Sequence, residues 1–145
     1  MRRFFKRNKP ESEVGDPVLQ PDGTPVTILI VDDSPTETHI LKGILERGGY
    51  MVITADNGER GVSTARELNP NLILMDVVMP GLNGFQATRQ LSQTQDTADI
   101  PIIMVSTKGQ ETDRAWGMRQ GARDYVVKPV SPKELLDKIS VVLNV

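Results

Sequence analysis

Five polar side chains that could take part in chemistry each follow a short apolar run in this sequence. They are a carboxylate pair, a third carboxylate, a hydroxyl and an ammonium: Asp32, Asp33, Asp76, Ser106 and Lys128. Three carboxylates brought to one place repel one another unless a cation lies among them. Oxygen ligands with few protein contacts suit a hard, partly hydrated cation, and Mg²⁺ is the natural choice. A lysine opposite such a cluster can neutralise negative charge on a transferred group.

Taken singly, each of these residues has an ordinary structural explanation. An aspartate pair in a loop is usually a solvated helix cap, and Asp76 could cap the turn that follows it. Ser106 would more often be a structural hydroxyl, and Lys128 would more often be a surface charge. Their shared position favours a functional site, because each lies at the end of a predicted strand.

Five short apolar runs alternate with five helical patterns from Thr27 onward. The predicted strands are Thr27–Val31, Met51–Ala55, Leu72–Met75, Ile102–Val105 and Tyr125–Val127. The predicted helices cover Pro35–Gly48, Asn57–Leu68, Asn83–Leu91 and Glu111–Gln120, and a fifth begins after Ser131. The apolar face of the first helix is predicted to contain Ile40, Leu41, Ile44 and Leu45.

This alternation predicts an α/β domain, with a doubly wound, five-stranded parallel sheet covered by five helices. The strands are nearly continuous apolar runs, as strands buried on both faces should be. The strand order 2-1-3-4-5 is taken from the flavodoxin-like fold and does not follow from the sequence itself. Ligands bind such sheets at the carboxyl ends of the strands, where the five polar residues would meet.

The length and composition of the chain limit the remaining classes of function. A chain of 145 residues is long enough for one hydrophobic core. Its net charge of −2 gives no overall bias toward nucleic acid. It has no cysteine and one histidine, which excludes disulfides, cysteine-based zinc sites and histidine clusters. No apolar run approaches the roughly 20 residues of a membrane span, and we expect a cytoplasmic protein.

Four segments carry a resemblance to a known family. ILIVDDSP, LILMDVVMPGLNG, IIMVST and DYVVKP, with their spacing, resemble the motifs of response-regulator receiver domains. The resemblance implies that Asp76 accepts a phosphoryl group from a sensor histidine kinase. It also implies a Mg²⁺ site formed by Asp32, Asp33, Asp76 and the backbone carbonyl of Val78.

The same resemblance implies how phosphate is held and how the domain switches. Lys128 and Ser106 would contact the phosphoryl group. Movement of the Ser106 hydroxyl toward the phosphate would let Tyr125 turn inward. The surface formed by the fourth helix, fifth strand and fifth helix would change as a result. The Lys128–Pro129 bond would be cis, and the domain would assist its own phosphorylation without being a turnover enzyme.

A narrower resemblance concerns the signalling system. VDDSPTE, PGLNGFQATRQL and RQGARDYVVKPV are similar to single-domain receivers of type IV pilus (twitching motility) systems. This similarity implies a chemotaxis-like histidine kinase and a downstream motility protein as partners, with no nucleic-acid partner. Since the chain ends just after the last helix, output would come through protein contacts. Alternatively, the protein would be a phosphate sink that competes with another regulator.

Two other classes of protein compete with an active receiver. A phosphatase with an aspartyl nucleophile would place a second acid two residues further on, whereas Ser34 stands at that spacing from Asp32. A receiver that acts only as a docking module would lack some of the site residues, and all of them are present here. Phosphate release from small phosphoesters would identify the phosphatase, and Mg²⁺-dependent labelling by acetyl phosphate would identify the active receiver.

Residues 1–25 differ in composition from the rest of the chain. They contain four prolines and no sustained periodicity, which predicts a flexible N-terminal tail before a receiver domain at residues 26–145. The first nine residues include five lysines and arginines around Phe4 and Phe5. Such a segment is either a solvated arm or a weak contact for an acidic partner or an anionic membrane surface.

Overall fold

The computed structural model describes residues 14–145, and residues 1–13 lie outside the described part. The strands are β1 (Thr27–Val31), β2 (Met51–Ala55), β3 (Leu72–Met75), β4 (Ile102–Ser106) and β5 (Asp124–Val127). The helices are α1 (Pro35–Arg47), α2 (Gly58–Leu68), α3 (Gly84–Gln93), α4 (Glu111–Gln120) and α5 (Pro132–Leu143). All ten predicted elements are present. In the described part of the chain, no helix is long and apolar enough to cross a membrane.

All strand pairs in the sheet are parallel, and the strand order is β2-β1-β3-β4-β5. This confirms the predicted doubly wound fold. The carboxyl ends of all five strands lie at one edge, since parallel neighbours point the same way. The order reverses at β1, where Val31 pairs with Met75 of β3. The residues that follow these two strands therefore begin close together, at the switch point where ligands bind such sheets.

Two apolar layers cover the two faces of the sheet. One layer joins Leu29 and Met104 of the sheet to Ala65 of α2 and Leu91 of α3. The other joins further strand residues to α1 and α5, through Leu41, Ile44, Leu45, Leu135 and Ile139. Successive residues of a strand point to opposite faces, so both layers draw on the same strands. This is the physical reason that the central strands read as continuous apolar runs.

Two details of burial differ from the prediction. β1, β3 and β4 are buried along nearly their whole length, but Met51 of β2 is 56% exposed. β2 lies at the edge of the sheet, where it has one neighbouring strand instead of two. In α1, Ile40 is 47% exposed, so the buried face of this helix is narrower than predicted and consists of Leu41, Ile44 and Leu45.

Residues 14–26, called here the N-terminal hairpin, pack against the domain. The Gly15 N–H donates to the Glu46 carbonyl at 2.9 Å, and the Val18 N–H donates to the Gly49 carbonyl at 3.0 Å. The Val18 side chain lies against the same apolar layer as α1 and α5. These contacts attach the hairpin beside the C-terminal end of α1 and the start of β2.

The hairpin is also tied to the start of β3 by one asparagine. Asn71 Nδ2 donates to Gln20 Oε1 at 3.0 Å, and the Thr27 N–H donates to Asn71 Oδ1 at 2.8 Å. The expectation of a flexible tail through residue 25 is therefore wrong for residues 14–25, because hydrogen bonds to the domain hold them. The basic residues of the predicted tail lie outside the described residues.

Candidate functional site

The carboxyl ends of four strands carry the residues that the sequence predicts to act together. Asp32 follows β1, Asp76 follows β3, Ser106 ends β4 and Lys128 follows β5. Carboxylate oxygens of Asp32, Asp33 and Asp76 lie within 4.8 Å of one another. The fold thus gathers all three predicted carboxylates at one edge of the sheet.

Local hydrogen bonds hold the two buried carboxylates of this cluster. The Ser34 N–H donates to Asp32 Oδ1 at 2.9 Å, and the Val77 N–H donates to Asp76 Oδ1 at 2.9 Å. Asp32 is 2% exposed and Asp76 is 8% exposed, whereas Asp33 is exposed to solvent. Ser34 is also the N-cap of α1, so the start of this helix is joined to the orientation of Asp32.

Lys128 faces three carboxylates. Its Nζ lies 3.0 Å from Asp32 Oδ2, 3.8 Å from Glu37 Oε1 and 3.7 Å from Asp76 Oδ1. Burial alone would lower the pKa of Lys128, but the hydrogen bond that it donates to Asp32 and the charges of all three carboxylates together raise this pKa. The lysine therefore stays an ammonium and directs its charge at the aspartates. The Lys128–Pro129 bond is cis, which confirms the expectation from the resemblance.

Asp76 is harder to ionise than an ordinary aspartate. Burial, and next the charge of Asp32, raise the pKa of Asp76 from 3.8 to about 6. Lys128 and the Val77 N–H act in the opposite direction, and Asp33 adds a small further rise. The pKa of Asp76 is raised because Lys128 and the Val77 N–H do not fully offset the burial of the carboxylate and the negative charge of Asp32.

This donor set fits Mg²⁺. All three side chains offer carboxylate oxygens, and Mg²⁺ prefers oxygen ligands and keeps several waters. The exposed Asp33 leaves one side of the cluster open to solvent. The Val78 side chain is 56% exposed, so it does not fill the site, and the role predicted for its carbonyl stays a prediction. A cation among the carboxylates would relieve the repulsion from Asp32 and Asp33, which adds to the effect of burial on the pKa of Asp76.

Glu37 is a neighbour of the site that the sequence analysis missed. It lies in the first turn of α1, and its side chain is 39% exposed beside Lys128. The available signal was an acidic residue in the first turn of the helix that follows the aspartate pair, where negative charge is favourable. Its contact with the lysine depends on a side-chain direction that the sequence does not give.

The loop after Asp76 folds back tightly and depends on two glycines. The Gly84 N–H donates to the Val77 carbonyl at 2.8 Å, and a Cβ at Gly84 would lie 1.9 Å from the Asp76 carbonyl oxygen. Gly81 has a φ of 73°, a conformation that favours glycine. The backbone at the acceptor position therefore has its shape only with glycine at position 84.

Ser106 and Tyr125 are both buried and are linked through one backbone unit. The Lys108 N–H donates to Ser106 Oγ at 3.1 Å, and the Tyr125 hydroxyl donates to the Lys108 carbonyl at 2.5 Å. Ser106 is 0% exposed and Tyr125 is 1% exposed. The structure thus has the Tyr125 ring in the inward position. The Lys108 backbone was not among the predicted site residues, because its part depends on a hydrogen bond between distant segments.

A groove of about 590 Å³ opens beside the cluster, between α1 and α2. It reaches Asp32 and Asp33 at one end, and its walls carry apolar, polar and charged side chains, among them Pro35, Thr38, His39, Lys42, Ala55 and Arg60. The groove gives a partner molecule an open approach to the acidic edge of the sheet.

Comparisons with known proteins place this chain in the class of protein that its fold and acidic site indicate. The pattern of the response regulator receiver domain matches residues 28–140. This chain belongs to the response-regulator receiver family. Protein PilH of Pseudomonas aeruginosa is 59% identical over 116 residues, which are 80% of this chain and 96% of PilH. The chain spans about half the length of several other curated relatives, whose names are those of transcriptional regulators.

Solved structures agree in fold. A receiver domain of a sensor histidine kinase from Pseudomonas aeruginosa, with a magnesium ion coordinated in its active-site cleft, has a TM-score of 0.76 at 28% identity. That match covers 82% of this chain and 98% of the other. A chain of the CheX–CheY complex with BeF₃ and magnesium from Borrelia burgdorferi has a TM-score of 0.80 at 27% identity. It covers 86% of this chain and 94% of that chain.

Proposed function

We propose that this protein is a response regulator that accepts a phosphoryl group from a sensor histidine kinase on Asp76. The observation that carries the proposal is the position of Asp76 among two aspartates and Lys128, whose Nζ is 3.7 Å from the Asp76 carboxylate. Membership of the receiver family supports it. The protein would be a signalling module and not an enzyme that turns over a free substrate.

The chemical step is in-line phosphoryl transfer. A carboxylate oxygen of Asp76 attacks the phosphorus of a phosphohistidine, a new O–P bond forms, and the P–N bond breaks with its electron pair going to the imidazole nitrogen. Lys128 would contact a phosphoryl oxygen and balance its charge. The Val77 N–H, which donates to Asp76 Oδ1, keeps the carboxylate oriented during the attack.

Asp32, Asp33, Asp76 and the Val78 carbonyl would hold Mg²⁺. Bound there, the cation supplies positive charge that offsets the repulsion between the carboxylates and the incoming phosphoryl oxygens. The side chains around the cation site are held in place by the protein itself. Asp32 is fixed by Ser34 and Lys128, so this side of the site is already arranged, while the exposed Asp33 can adjust.

The switch would couple Ser106 to Tyr125. The Ser106 hydroxyl accepts a hydrogen bond from the Lys108 N–H, and we propose that it turns to the phosphoryl group when Asp76 is phosphorylated. This movement would favour the inward Tyr125 ring, because the two side chains share the space around Lys108. The population of the inward state would rise, and the α4-β5-α5 surface would report the change.

The output would be a protein contact in the control of type IV pili. The name of the relative PilH and its identity over most of both chains support this part of the proposal. Apolar side chains are exposed on α4 and α5, with Trp116 46% and Val141 80% exposed, and these suit a protein partner. A phosphate sink that competes with another regulator is the second possibility, and it would need no partner on this surface.

We propose a cytoplasmic protein whose first nine residues make a weak contact with an acidic partner or an anionic surface. Their five basic side chains would supply the attraction. Deletion of residues 1–9 should then remove any sedimentation with anionic vesicles, or any salt-sensitive capture of an acidic partner.

Labelling by acetyl phosphate tests the acceptor. The wild-type protein should gain one Mg²⁺-dependent, acyl phosphate group, and Asp76→Asn should gain none. Asp56→Asn is the matched control, because Asp56 follows β2 at the same edge of the sheet but is not in the carboxylate cluster. Stable labelling of the Asp76→Asn protein would refute the assignment. Pull-downs with and without beryllofluoride would separate an effector, which gains a partner, from a phosphate sink.

A further inference from the structure

Tyr125 is held by a second residue that lies outside the phosphorylation site. Arg114 of α4 donates from Nη1 to the Tyr125 carbonyl at 3.2 Å. Its guanidinium carbon also lies 5.5 Å from the centroid of the Tyr125 ring. The hydrogen bond joins α4 to the backbone of β5, and the cation is attracted to the face of the ring. One side chain thus contacts both the backbone and the ring of the proposed switch residue.

The face of α4 that meets the ring is shaped for it. A Cβ at Gly117 would lie 3.2 Å from Tyr125 Cδ2 and 2.9 Å from Met104 Sδ. The helix comes this close to the ring because position 117 has no side chain. Arg114 is three residues earlier, on the same side of the helix. α4 therefore provides both the space for the inward ring and a cation at that ring.

We propose that Arg114 is a positioning residue that favours the inward state of Tyr125 and so sets how much of the switch is inward before phosphorylation. The inference rests on the proposed function, because it concerns the same switch. The hydrogen bond to the Tyr125 carbonyl holds the guanidinium in place, and a cation so placed over the ring favours the inward ring by roughly two- to thirtyfold. Loss of Arg114 should raise the outward population by a factor in this range.

The same equilibrium links Arg114 to the phosphoryl site. A ligand that binds the inward state more tightly has an apparent affinity reduced in proportion to the inward fraction. Beryllofluoride with Mg²⁺ serves here as the probe for a phosphoryl group on Asp76. Arg114→Ala should therefore bind it several-fold more weakly, although Arg114 does not contact the acidic cluster.

Fluorine NMR of protein made with 3-fluorotyrosine tests the positioning role directly. The chain has two tyrosines, and Tyr50→Phe assigns the Tyr125 signal. Without any phosphoryl donor, Arg114→Ala should broaden this signal or move it toward the value of an exposed fluorotyrosine. Arg114→Lys should change the Tyr125 signal less than Arg114→Ala does, because lysine keeps the charge but lacks the planar fork of donors.

Arg119→Ala is the matched control. Arg119 lies on the same helix, but its guanidinium carbon lies over the ring of Trp116, 5.9 Å from the ring centroid, and not over Tyr125. This variant should leave the Tyr125 signal and the beryllofluoride affinity unchanged. A Tyr125 signal in Arg114→Ala identical to wild type would overturn the inference, as would equal effects of the two alanine variants.

The two proposals fail in different ways in this experiment. The fluorine spectra are recorded without phosphoryl donor, so they report on Arg114 whether or not Asp76 is phosphorylated. Failure of the wild-type protein to take label from acetyl phosphate would count against the proposed function. Normal labelling with an unchanged Tyr125 signal in Arg114→Ala would count against the role of Arg114 alone.

Discussion

Replacing Asp76 by asparagine should make the protein more stable at neutral pH in buffer without divalent cations. The ionised Asp76 is held in a buried place beside Asp32, and this raises its pKa from 3.8 to about 6. Its side chain is 10% exposed, so water screens the repulsion only weakly. Asparagine keeps the shape and the acceptor for the Val77 N–H but removes the charge. The substitution therefore removes two costs that exist only in the folded state, the burial of the charge and its repulsion from Asp32.

The magnitude follows from the pKa of Asp76. One pH unit of pKa corresponds to about 1.4 kcal/mol, so the change from 3.8 to about 6 sets an upper value of about 3 kcal/mol for the destabilisation by the ionised group. Local relaxation and partial exposure reduce this value. We expect Asp76→Asn to raise the free energy of unfolding by about 1 to 3 kcal/mol at pH 7.5.

The difference in stability between wild type and Asp76→Asn should depend on pH. The folded state binds the Asp76 proton more tightly than the unfolded state, so the wild-type protein regains this stability as pH falls from about 6 toward 3.8. Below that range the carboxyl is protonated in both states, and the difference between wild type and Asp76→Asn should vanish. Millimolar Mg²⁺ should also reduce the difference at pH 7.5, because it stabilises only the ionised cluster.

Urea denaturation followed by circular dichroism measures these differences. Asp56→Asn is the control, because Asp56 is exposed and pairs with Arg60 at 3.8 Å, and it should change stability by less than about 0.5 kcal/mol. A less stable Asp76→Asn protein at pH 7.5 without Mg²⁺ would show that the ionised Asp76 does not destabilise the fold by its burial and its repulsion from Asp32. The explanation would also be wrong if the difference in free energy of unfolding between wild type and Asp76→Asn stayed constant down to pH 4.

Four further outcomes are expected. Asp33→Ala should abolish both the rise in thermal midpoint with millimolar Mg²⁺ and labelling by acetyl phosphate, and calorimetry that still detects Mg²⁺ binding would contradict its role. Lys128→Ala should lower the labelling rate at least tenfold, and an unchanged rate would exclude the phosphate contact. Ser106→Ala should accept label but transmit a smaller change to Trp116 emission with beryllofluoride, and a full response would refute the hydroxyl step. Deletion of residues 1–13 should leave the thermal midpoint unchanged, whereas deletion through residue 25 should lower it by several degrees; equal midpoints would show that the hairpin adds no stability.

The elements could be predicted because their signals are local. Four adjacent residues are enough to predict a helix start such as the one at Ser131. The Ser131 side chain accepts a hydrogen bond from the Glu134 N–H at 3.3 Å. The aspartates and the lysine follow buried strands, and a parallel sheet brings strand ends to one edge whatever lies between them. Their distances and the pKa of Asp76 could not be predicted, because both depend on side-chain direction and burial.

The N-terminal hairpin was missed for the opposite reason. Its prolines and glycines are the usual signs of a loop, and its stability comes from contacts distant in sequence, such as Asn71 with Gln20. The exposed Ile40 shows a similar limit, since periodicity gives the side of a helix but not the width of its buried face. Arg114 gave no sequence signal, because an arginine on an exposed helix is common.

The attachment of the N-terminal hairpin has a consequence for handling and engineering the protein. Its contacts with Gly49 and Asn71 lie at the amino ends of β2 and β3, whereas the acidic cluster lies at the carboxyl ends. Strands of four or five residues at about 3.3 Å per residue separate the two edges by roughly 15 Å. A fluorophore, affinity tag or surface linkage joined directly to residue 14 of a chain shortened to residues 14–145 would therefore be anchored at the edge of the sheet opposite Asp76. The acidic cluster lies at the other edge of the sheet.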